Sequence, residues 1–201
     1  MRRRPLLALA ALACVQPRAV AATRATTVRT RVVSELGTFD IEVDTAVAPT
    51  TVANYLAYVD RRLLDKASVY RVVTLANQPP DTGVRIEVVQ WGLDLPDDTA
   101  PLLPAIAHES TRETGLRHLD GTVSMARSQP GTATSEFFIC IGDQPSLDFG
   151  GGRNPDGQGF AAFGRVVSGR DVVRALHAKG ESVQRLAAPI AITSVRRIPP
   201  A

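Results

Sequence analysis

Hydrophobic and polar residues alternate in many short stretches of this chain, and segments rich in glycine and proline separate them. The segment RVVSELGTFDIEVD holds two such stretches around Gly37, and Phe39, Ile41 and Val43 alternate with polar residues. A period of two is typical of strands that bury one face, and glycine suits a tight turn. The pattern therefore predicts a pair of strands joined at Gly37.

The same alternation predicts further strands along the rest of the chain. In chain order they are ASVYRVV, VRIEVVQWG, TVSMAR, SEFFICIG, FAAFGRVV and IAITSVRRI. The loop TLANQPPDTG separates the first two, and the prolines of LPDDTAPLLP keep residues 93–120 free of long regular elements. A long glycine-rich loop, DFGGGRNPDGQG, precedes FAAFGRVV.

Two segments show helical spacing instead. In APTTVANYLAYVDRRLL, Pro49 suits the first turn, and Val52, Leu56 and Val59 recur at helical intervals. A second helix is predicted in RDVVRALHAKG, with Gly180 at its end. Many short strands with two helices indicate a β-barrel or sandwich, because exposed strand edges must be closed or covered.

Composition agrees with a single folded domain. The chain has 201 residues, of which 44% are hydrophobic and 21% charged, and it shows no internal repeat. We expect the domain to occupy residues 30–198, after a flexible lead-in at residues 22–29.

The first residues have the order of a signal peptide. Three arginines at positions 2–4 precede the apolar run LLALAALACV, and small residues follow around Ala21. The run is too short to span a bilayer as a retained helix. We therefore expect residues 1–21 to direct export, to the periplasm in a cell with two membranes. A disordered tail is the alternative, and lipidation of Cys14 is disfavoured because its lipobox match is poor.

Loss of that leader would change the charge of the protein. Four arginines lie in residues 1–21, so the formal net charge would change from +3 to −1. Nucleic-acid binding needs a basic face on the folded domain, and this composition does not support one. Only Cys140 would remain, so no intramolecular disulfide is expected, and its apolar setting in FFICI predicts a buried, inert thiol.

Several catalytic chemistries lack their residues. The histidines, His108, His118 and His177, are not at metal-ligand spacing with another His or Cys, so no metal site is expected. No nucleophile elbow surrounds Ser124, and its closeness to His118 in sequence says nothing about their distance in space. The glycine-rich loop is not followed by Gly-Lys-Ser/Thr, so a tight surface loop is favoured over a phosphate site.

Four pieces of sequence stand in a fixed order. They are YRVV, VVQWG, GTVSMAR with SEFFICIG, and FAAFGRVV followed by GRDVV. This set, over roughly residues 30–198, resembles the cyclophilin family of peptidyl-prolyl isomerases. The resemblance implies an all-β fold, a closed eight-stranded antiparallel barrel capped by two α-helices. It also implies a monomeric, cofactor-independent enzyme that binds proline-containing segments of client proteins in an outer groove.

The same resemblance assigns roles to individual residues. It makes Arg71 the catalytic residue. The substrate-binding residues that it implies are Gln90, Val88, Met125, Ala126, Arg127, Glu136, Phe138, Leu147 and Phe160. Gln90 would position the arginine, Phe138 and Met125 would hold the proline ring, and the backbone at Ala126 and Arg127 would pair with the peptide. Phe137 should face the core, because neighbours in a strand point to opposite sides.

The chain departs from the family pattern at several positions. Glu136 replaces a glutamine and could pair with Arg71, and Ser146 replaces an aromatic wall, which predicts weak cyclosporin binding. Trp91 and Glu87 also differ, so that part of the pocket would be rebuilt, with Ile86 as a candidate. These differences keep a second hypothesis open, a proline-peptide binding module with little turnover. A third is an unrelated β-barrel with chance matches.

Overall fold

A computed structural model describes residues 26–96 and 98–199. Within these residues the chain forms eight strands: β1 Thr27–Ser34, β2 Gly37–Asp44, β3 Ser68–Val73, β4 Val88–Gly92, β5 Thr122–Met125, β6 Glu136–Cys140, β7 Ala161–Ser168 and β8 Arg185–Ile198. It also forms three helices: α1 Pro49–Asp60, α2 Thr111–Thr114 and α3 Arg170–His177. Short 3₁₀ turns cover Leu63–Lys66 and Pro145–Leu147.

The strands close into one antiparallel barrel. Around the barrel their order is β1-β2-β7-β5-β6-β4-β3-β8, and β8 returns to pair with β1. Closure leaves neither end of the sheet unpaired, which removes the exposed edges that an open sheet would present. The predicted eight-stranded antiparallel barrel is confirmed.

The first hairpin forms as predicted but begins earlier. Gly37 has φ +133°, and a Cβ there would lie 2.9 Å from the Val172 side chain, so the turn requires glycine. β1 starts at Thr27, so the expectation of a flexible lead-in up to residue 29 is wrong for its last three residues. Residues 27–29 pair with residues 42–44 at the end of β2, because β2 is eight residues long and extends to Asp44. Residues 1–25 lie outside the described part.

The barrel interior is filled by apolar and aromatic side chains from strands and helices. Among the largest fully buried side chains are Trp91, Tyr55, Tyr58, Phe39, Phe137 and Phe163. Tyr55 of α1 packs edge-on against Phe137 of β6, with centroids 5.4 Å apart. Val173 and Leu176 of α3 join the same core. The two longer helices thus cover the barrel with their apolar faces.

A residue distant in sequence completes the start of α1. Pro49 occupies its first turn, and no side chain of Ala48 can cap it. Instead, the Glu109 carboxylate accepts hydrogen bonds from the backbone N–H groups of Thr50 (3.0 Å) and Thr51 (2.7 Å). A carboxylate suits this end because the first N–H groups of a helix lack partners. At the other end, Arg61 is the capping residue and Arg62 follows it.

Some element boundaries differ from the predictions. β4 begins at Val88 rather than at Val84, since the preceding loop is held by side-chain hydrogen bonds of Gln78 to the Ile86 backbone. The short helix α2 was not predicted, although Ser110 and Glu113 form a capping box at its start. α3 ends at His177, before Gly180, where a Cβ would lie 2.7 Å from the Thr74 side chain.

Candidate active site

A β-bulge in β3 places two neighbouring side chains on the same outer surface. Val69 pairs with Trp91 and Arg71 with Gln90, so the register shifts by one residue at Tyr70. In a regular strand Tyr70 and Arg71 would point to opposite faces, whereas a bulge re-aims the side chains around it. Both side chains consequently reach Gln90.

Arg71 is held by two glutamines from different elements. Its Nη1 donates to Oε1 of Gln90 on β4 at 2.7 Å. Its Nε, at 3.1 Å, and its Nη2 both donate to Oε1 of Gln184, in the loop before β8. A guanidinium has five N–H donors, so this arrangement fixes its plane, and two of the donors have no acceptor among the described residues.

Burial increases the electrostatic effect of this cation. Removal from water lowers the pKa of the Arg71 guanidinium from its ordinary value, the nearby Tyr70 raises it, and the positive charge of Arg153 lowers it further. An arginine nevertheless keeps its proton at physiological pH. A desolvated, oriented cation acts more strongly on a neighbouring charge than a hydrated one.

An apolar cluster lies beside the arginine and is separate from the barrel core. It consists of Val73, Ile86, Val88, Phe138, Cys140 and Leu147, with Ala126 and Phe160 packed against it. The rings of Phe138 and Phe160 meet edge to face with centroids 5.3 Å apart. The structure thus brings Phe138, Val88, Leu147, Phe160 and Ile86 together in one cluster, and Phe137 faces the barrel core as strand alternation predicts.

Met125 is the exception among the predicted pocket residues. Its side chain is 1% exposed and belongs to the barrel core, so its assignment to the proline pocket is wrong. Strand register explains the error: Met125 pairs with the inward-facing Phe137, whereas Ser124 pairs with the outward-facing Phe138.

The chain beyond β5 presents backbone groups next to the apolar cluster. The Ala126 N–H donates to the Glu136 carbonyl at 2.9 Å. The backbone N–H and C=O of Arg127 form no hydrogen bond with the described residues, which fits the predicted pairing with a peptide. The Arg127 side chain is buried and donates to Gly159 O (2.9 Å) and Asp156 (2.8 Å). It therefore anchors the glycine-rich loop.

Glu136 does not pair with Arg71, contrary to expectation. Its carboxylate lies over Gly92, where a Cβ would collide with Oε2. Oε1 accepts from the Asp94 N–H (2.9 Å) and the Ser135 hydroxyl (3.1 Å). Burial raises the pKa of Glu136 above its ordinary value, although hydrogen bonds partly oppose this.

The glycine-rich loop folds back towards the arginine. Its Arg153 N–H donates to the carbonyl of Ser146 at 3.1 Å, and a Cβ at Gly151 would collide with that carbonyl. The Arg153 guanidinium donates to Val84 O at 2.7 Å and lies close enough to Arg71 to lower its pKa. A second cation therefore stands near the site, at a position that the sequence did not indicate.

His118 lies behind the apolar cluster in an unexpected hydrogen-bonded array. Its Nδ1 is 2.7 Å from Asp148 and its Nε2 is 2.9 Å from the Ser124 hydroxyl. The imidazole stacks on Phe138 with centroids 5.9 Å apart. Ser124 is fully buried and His118 is 1% exposed, so no substrate can reach this array. It acts as support for Phe138.

Two cavities border these elements. One of about 480 Å³ is lined mainly by polar residues and extends from Tyr70 and Gln90 past Ala126 and Arg127 to Glu136. Another, of about 510 Å³, lies between β2, β7 and residues 115–122 and contains none of the predicted site residues. The first continues the surface on which Arg71 lies.

Within residues 26–96 and 98–199, no group of three His, Cys, Asp or Glu side chains could hold a metal ion. In the same residues no helix has the length and apolar character needed to cross a membrane.

The family of the chain follows from comparison with known sequences. The sequence model described as "Cyclophilin type peptidyl-prolyl cis-trans isomerase/CLD" matches residues 27–197. The chain belongs to the cyclophilin family. This cyclophilin is therefore an enzyme of the peptidyl-prolyl cis-trans isomerase class.

Individual relatives are similar over more than two thirds of the chain. Peptidyl-prolyl cis-trans isomerase cyp18 of Streptomyces antibioticus is 36% identical over 142 residues, covering 70% of this chain and 77% of the relative. Peptidyl-prolyl cis-trans isomerase A of Dickeya dadantii is 31% identical, covering 68% and 64%. A solved cyclophilin of Cryptosporidium parvum superposes with a TM-score of 0.68 at 16% identity, covering 87% and 99%. That low-identity likeness confirms the fold.

Proposed function

We propose that this cyclophilin accelerates rotation about X-Pro peptide bonds with Arg71 as its catalytic residue. One observation carries the assignment: a guanidinium with two uncommitted donors is fixed by Gln90 and Gln184 at the rim of a separate apolar cluster. The cluster supplies a surface for a pyrrolidine ring, and the guanidinium supplies oriented positive charge beside it. A solved relative with a TM-score of 0.66 was crystallised in the presence of the dipeptide Ala-Pro.

The chemistry requires no covalent intermediate. Resonance gives an amide a rotation barrier of about 18–20 kcal/mol, and uncatalysed X-Pro isomerisation takes tens to hundreds of seconds. When the bond twists, the lone pair of the prolyl nitrogen leaves conjugation and becomes a hydrogen-bond acceptor. A donor from Arg71 then stabilises the twisted state more than the planar one, which lowers the barrier.

The substrate would lie as an extended peptide across the outer wall. Its residues before proline would pair with the free backbone groups of Arg127, and its proline would contact Phe138, Val88 and Phe160. A single chain supplies the cation, both glutamines and the apolar cluster, which supports action as a monomer. We propose no cofactor, since bond rotation involves neither electron transfer nor a leaving group.

We further propose that the enzyme works after export, on unfolded or extended clients outside the cytoplasm. Support comes from the charged, apolar and small-residue order of residues 1–21. Fusion of these residues to a reporter, with fractionation of the cells, tests this part. Retention of the reporter in the cytoplasm would contradict it.

The catalytic assignment is tested by the isomerisation rate of an Ala-Pro peptide with the protein from residue 22, compared with Arg71→Ala. We expect the substitution to lower kcat/KM by about 10²–10³-fold, the usual loss for a transition-state donor. Arg31→Ala is the matched control, because Arg31 is exposed on β1 and pairs with Asp40 on the surface. Wild-type protein without acceleration, or equal rates for wild type and Arg71→Ala, would refute the assignment.

A further inference from the structure

The orientation of the Gln90 side-chain amide decides whether it can hold Arg71. Gln90 accepts from the guanidinium through Oε1 and donates through Nε2 to the Tyr70 hydroxyl oxygen. If this amide turned over, its NH₂ group would face the N–H donors of Arg71, and the bond would be lost. Whatever fixes the Tyr70 hydroxyl therefore also fixes the catalytic arginine.

Tyr70 has an uncommitted hydrogen next to an uncommitted carboxylate oxygen. Gln90 uses the oxygen of Tyr70, and the hydroxyl hydrogen has no acceptor among the described residues. Glu136 lines the same cavity, and its buried Oε2 has no hydrogen-bond partner in the described part of the chain. The two groups lie close enough for the carboxylate to raise the pKa of Tyr70, beyond the larger effect of burial.

We propose that Glu136 and Tyr70 are positioning residues for Arg71. The ionised carboxylate accepts the Tyr70 hydroxyl hydrogen, so Tyr70 can only accept from Gln90, and the amide oxygen of Gln90 stays turned towards the guanidinium. This proposal rests on the catalytic role proposed for Arg71, and it adds two residues that determine the position of that arginine. It gives the glutamate at position 136 a role that does not require contact with Arg71 or with substrate.

Protonation of Glu136 would release this constraint. A neutral carboxyl no longer requires the Tyr70 hydrogen, and that hydrogen can turn towards the Gln90 oxygen in competition with Arg71. The nearby Asp94 carboxylate does not take over this role of Glu136, because it pairs with Arg185. The Arg185 guanidinium lies 5.4 Å from the centroid of the Tyr70 ring. Among the described residues, Tyr58 of α1 is a further titratable group near Glu136, and burial is the main cause that raises its pKa.

The expected result is an activity that falls in mildly acidic solution. Since burial raises the pKa of Glu136, the fall should lie above the usual titration range of glutamate. We expect kcat of the wild type to fall about fivefold to tenfold through this range, with little change in KM. Glu136→Gln keeps an acceptor for Tyr70 but cannot titrate, so its kcat should stay flat. The kcat of Tyr70→Phe should be lower than that of the wild type by a similar factor at neutral pH.

NMR exchange spectroscopy of a blocked Ala-Pro peptide without titratable groups measures these rates at any pH. Tyr55→Phe and Glu109→Gln are the matched controls, because Tyr55 bonds to Thr30 and Glu109 caps α1 away from Arg71. They should keep the wild-type profile. Two results would overturn the inference while leaving the catalytic role of Arg71 intact. One is a Glu136→Gln variant whose kcat falls with pH as it does in the wild type, and the other is a Tyr70→Phe variant with the kcat of the wild type.

A measurement on the wild type decides the question if either variant fails to fold. The side-chain NH₂ resonances of Gln90 and the Nε–H resonance of Arg71 should shift with pH at the midpoint seen in kcat. Resonances that stay constant through that range would reject the coupling. An inactive wild type would instead reject the proposed function.

Discussion

Substitution of Gln184 tests how strongly catalysis depends on the hydrogen bonds that hold the Arg71 guanidinium. Of the three guanidinium hydrogen bonds in the structure, two end on Oε1 of this residue. Gln184→Leu replaces the side chain with one of similar size that accepts no hydrogen bond. Arg71 would keep its charge and its bond to Gln90, but its plane could rotate about the remaining contact.

The size of the effect follows from these bonds. A hydrogen bond to a charged group contributes about 1.5–3 kcal/mol. Both donors share one acceptor, and water can reach the half-buried Gln184, so we take the lower end of that range. A loss of about 1.4 kcal/mol from the transition state is a tenfold fall in rate. We therefore expect kcat/KM to fall about tenfold, mainly through kcat.

The assay is the isomerisation rate of an Ala-Pro peptide, with thermal unfolding as the check on folding. Gln184→Glu retains an acceptor oxygen and should recover part of the loss. Gln158→Leu is the control, because this exposed side chain forms no hydrogen bond with the described residues. A folded Gln184→Leu protein with kcat/KM within about twofold of the wild type would show that Gln90 alone positions Arg71.

Three further predictions concern other parts of the molecule. Cys140 is fully buried and burial raises the pKa of its thiol, so a thiol reagent should label it only after unfolding; rapid labelling of folded protein would contradict this. Burial lowers the pKa of His118, so on acidification the unfolded chain takes up the proton at a higher pH than the folded protein does. The free energy of unfolding should therefore decrease as the pH drops below about 6.5. Tm should therefore fall more in the wild type than in His118→Asn as the solution is acidified; parallel curves would disprove it. Ser146 provides no aromatic wall, so cyclosporin should inhibit weakly, and nanomolar inhibition in the rate assay would be the contrary result.

The pattern of apolar and polar residues by itself was enough to predict the eight strands and the two longer helices. It placed the first hairpin around Gly37, the helix after Pro49 and the opposite facing of Phe137 and Phe138. These features are local, since one strand or helix carries its own period. The ordered motifs also predicted Arg71, Gln90 and most of the apolar cluster, and the family match confirms the class of protein.

Strand register decided which side chains face the site. Met125 points into the barrel because it pairs with Phe137, and the bulge at Tyr70 brings that ring and Arg71 to the same surface. A shift of one residue reverses the face of a side chain, and the chain does not mark where such a shift occurs.

Contacts between distant segments were decided only by closure of the barrel. Gln184 is 113 residues from Arg71, and Asp148 is 30 residues from His118, so neither pairing has a local signal. The sequence supplied these polar side chains, and the tertiary structure determined their partners. The physical reason is that a buried polar group must find a hydrogen-bond partner wherever packing places it, and packing depends on the whole barrel.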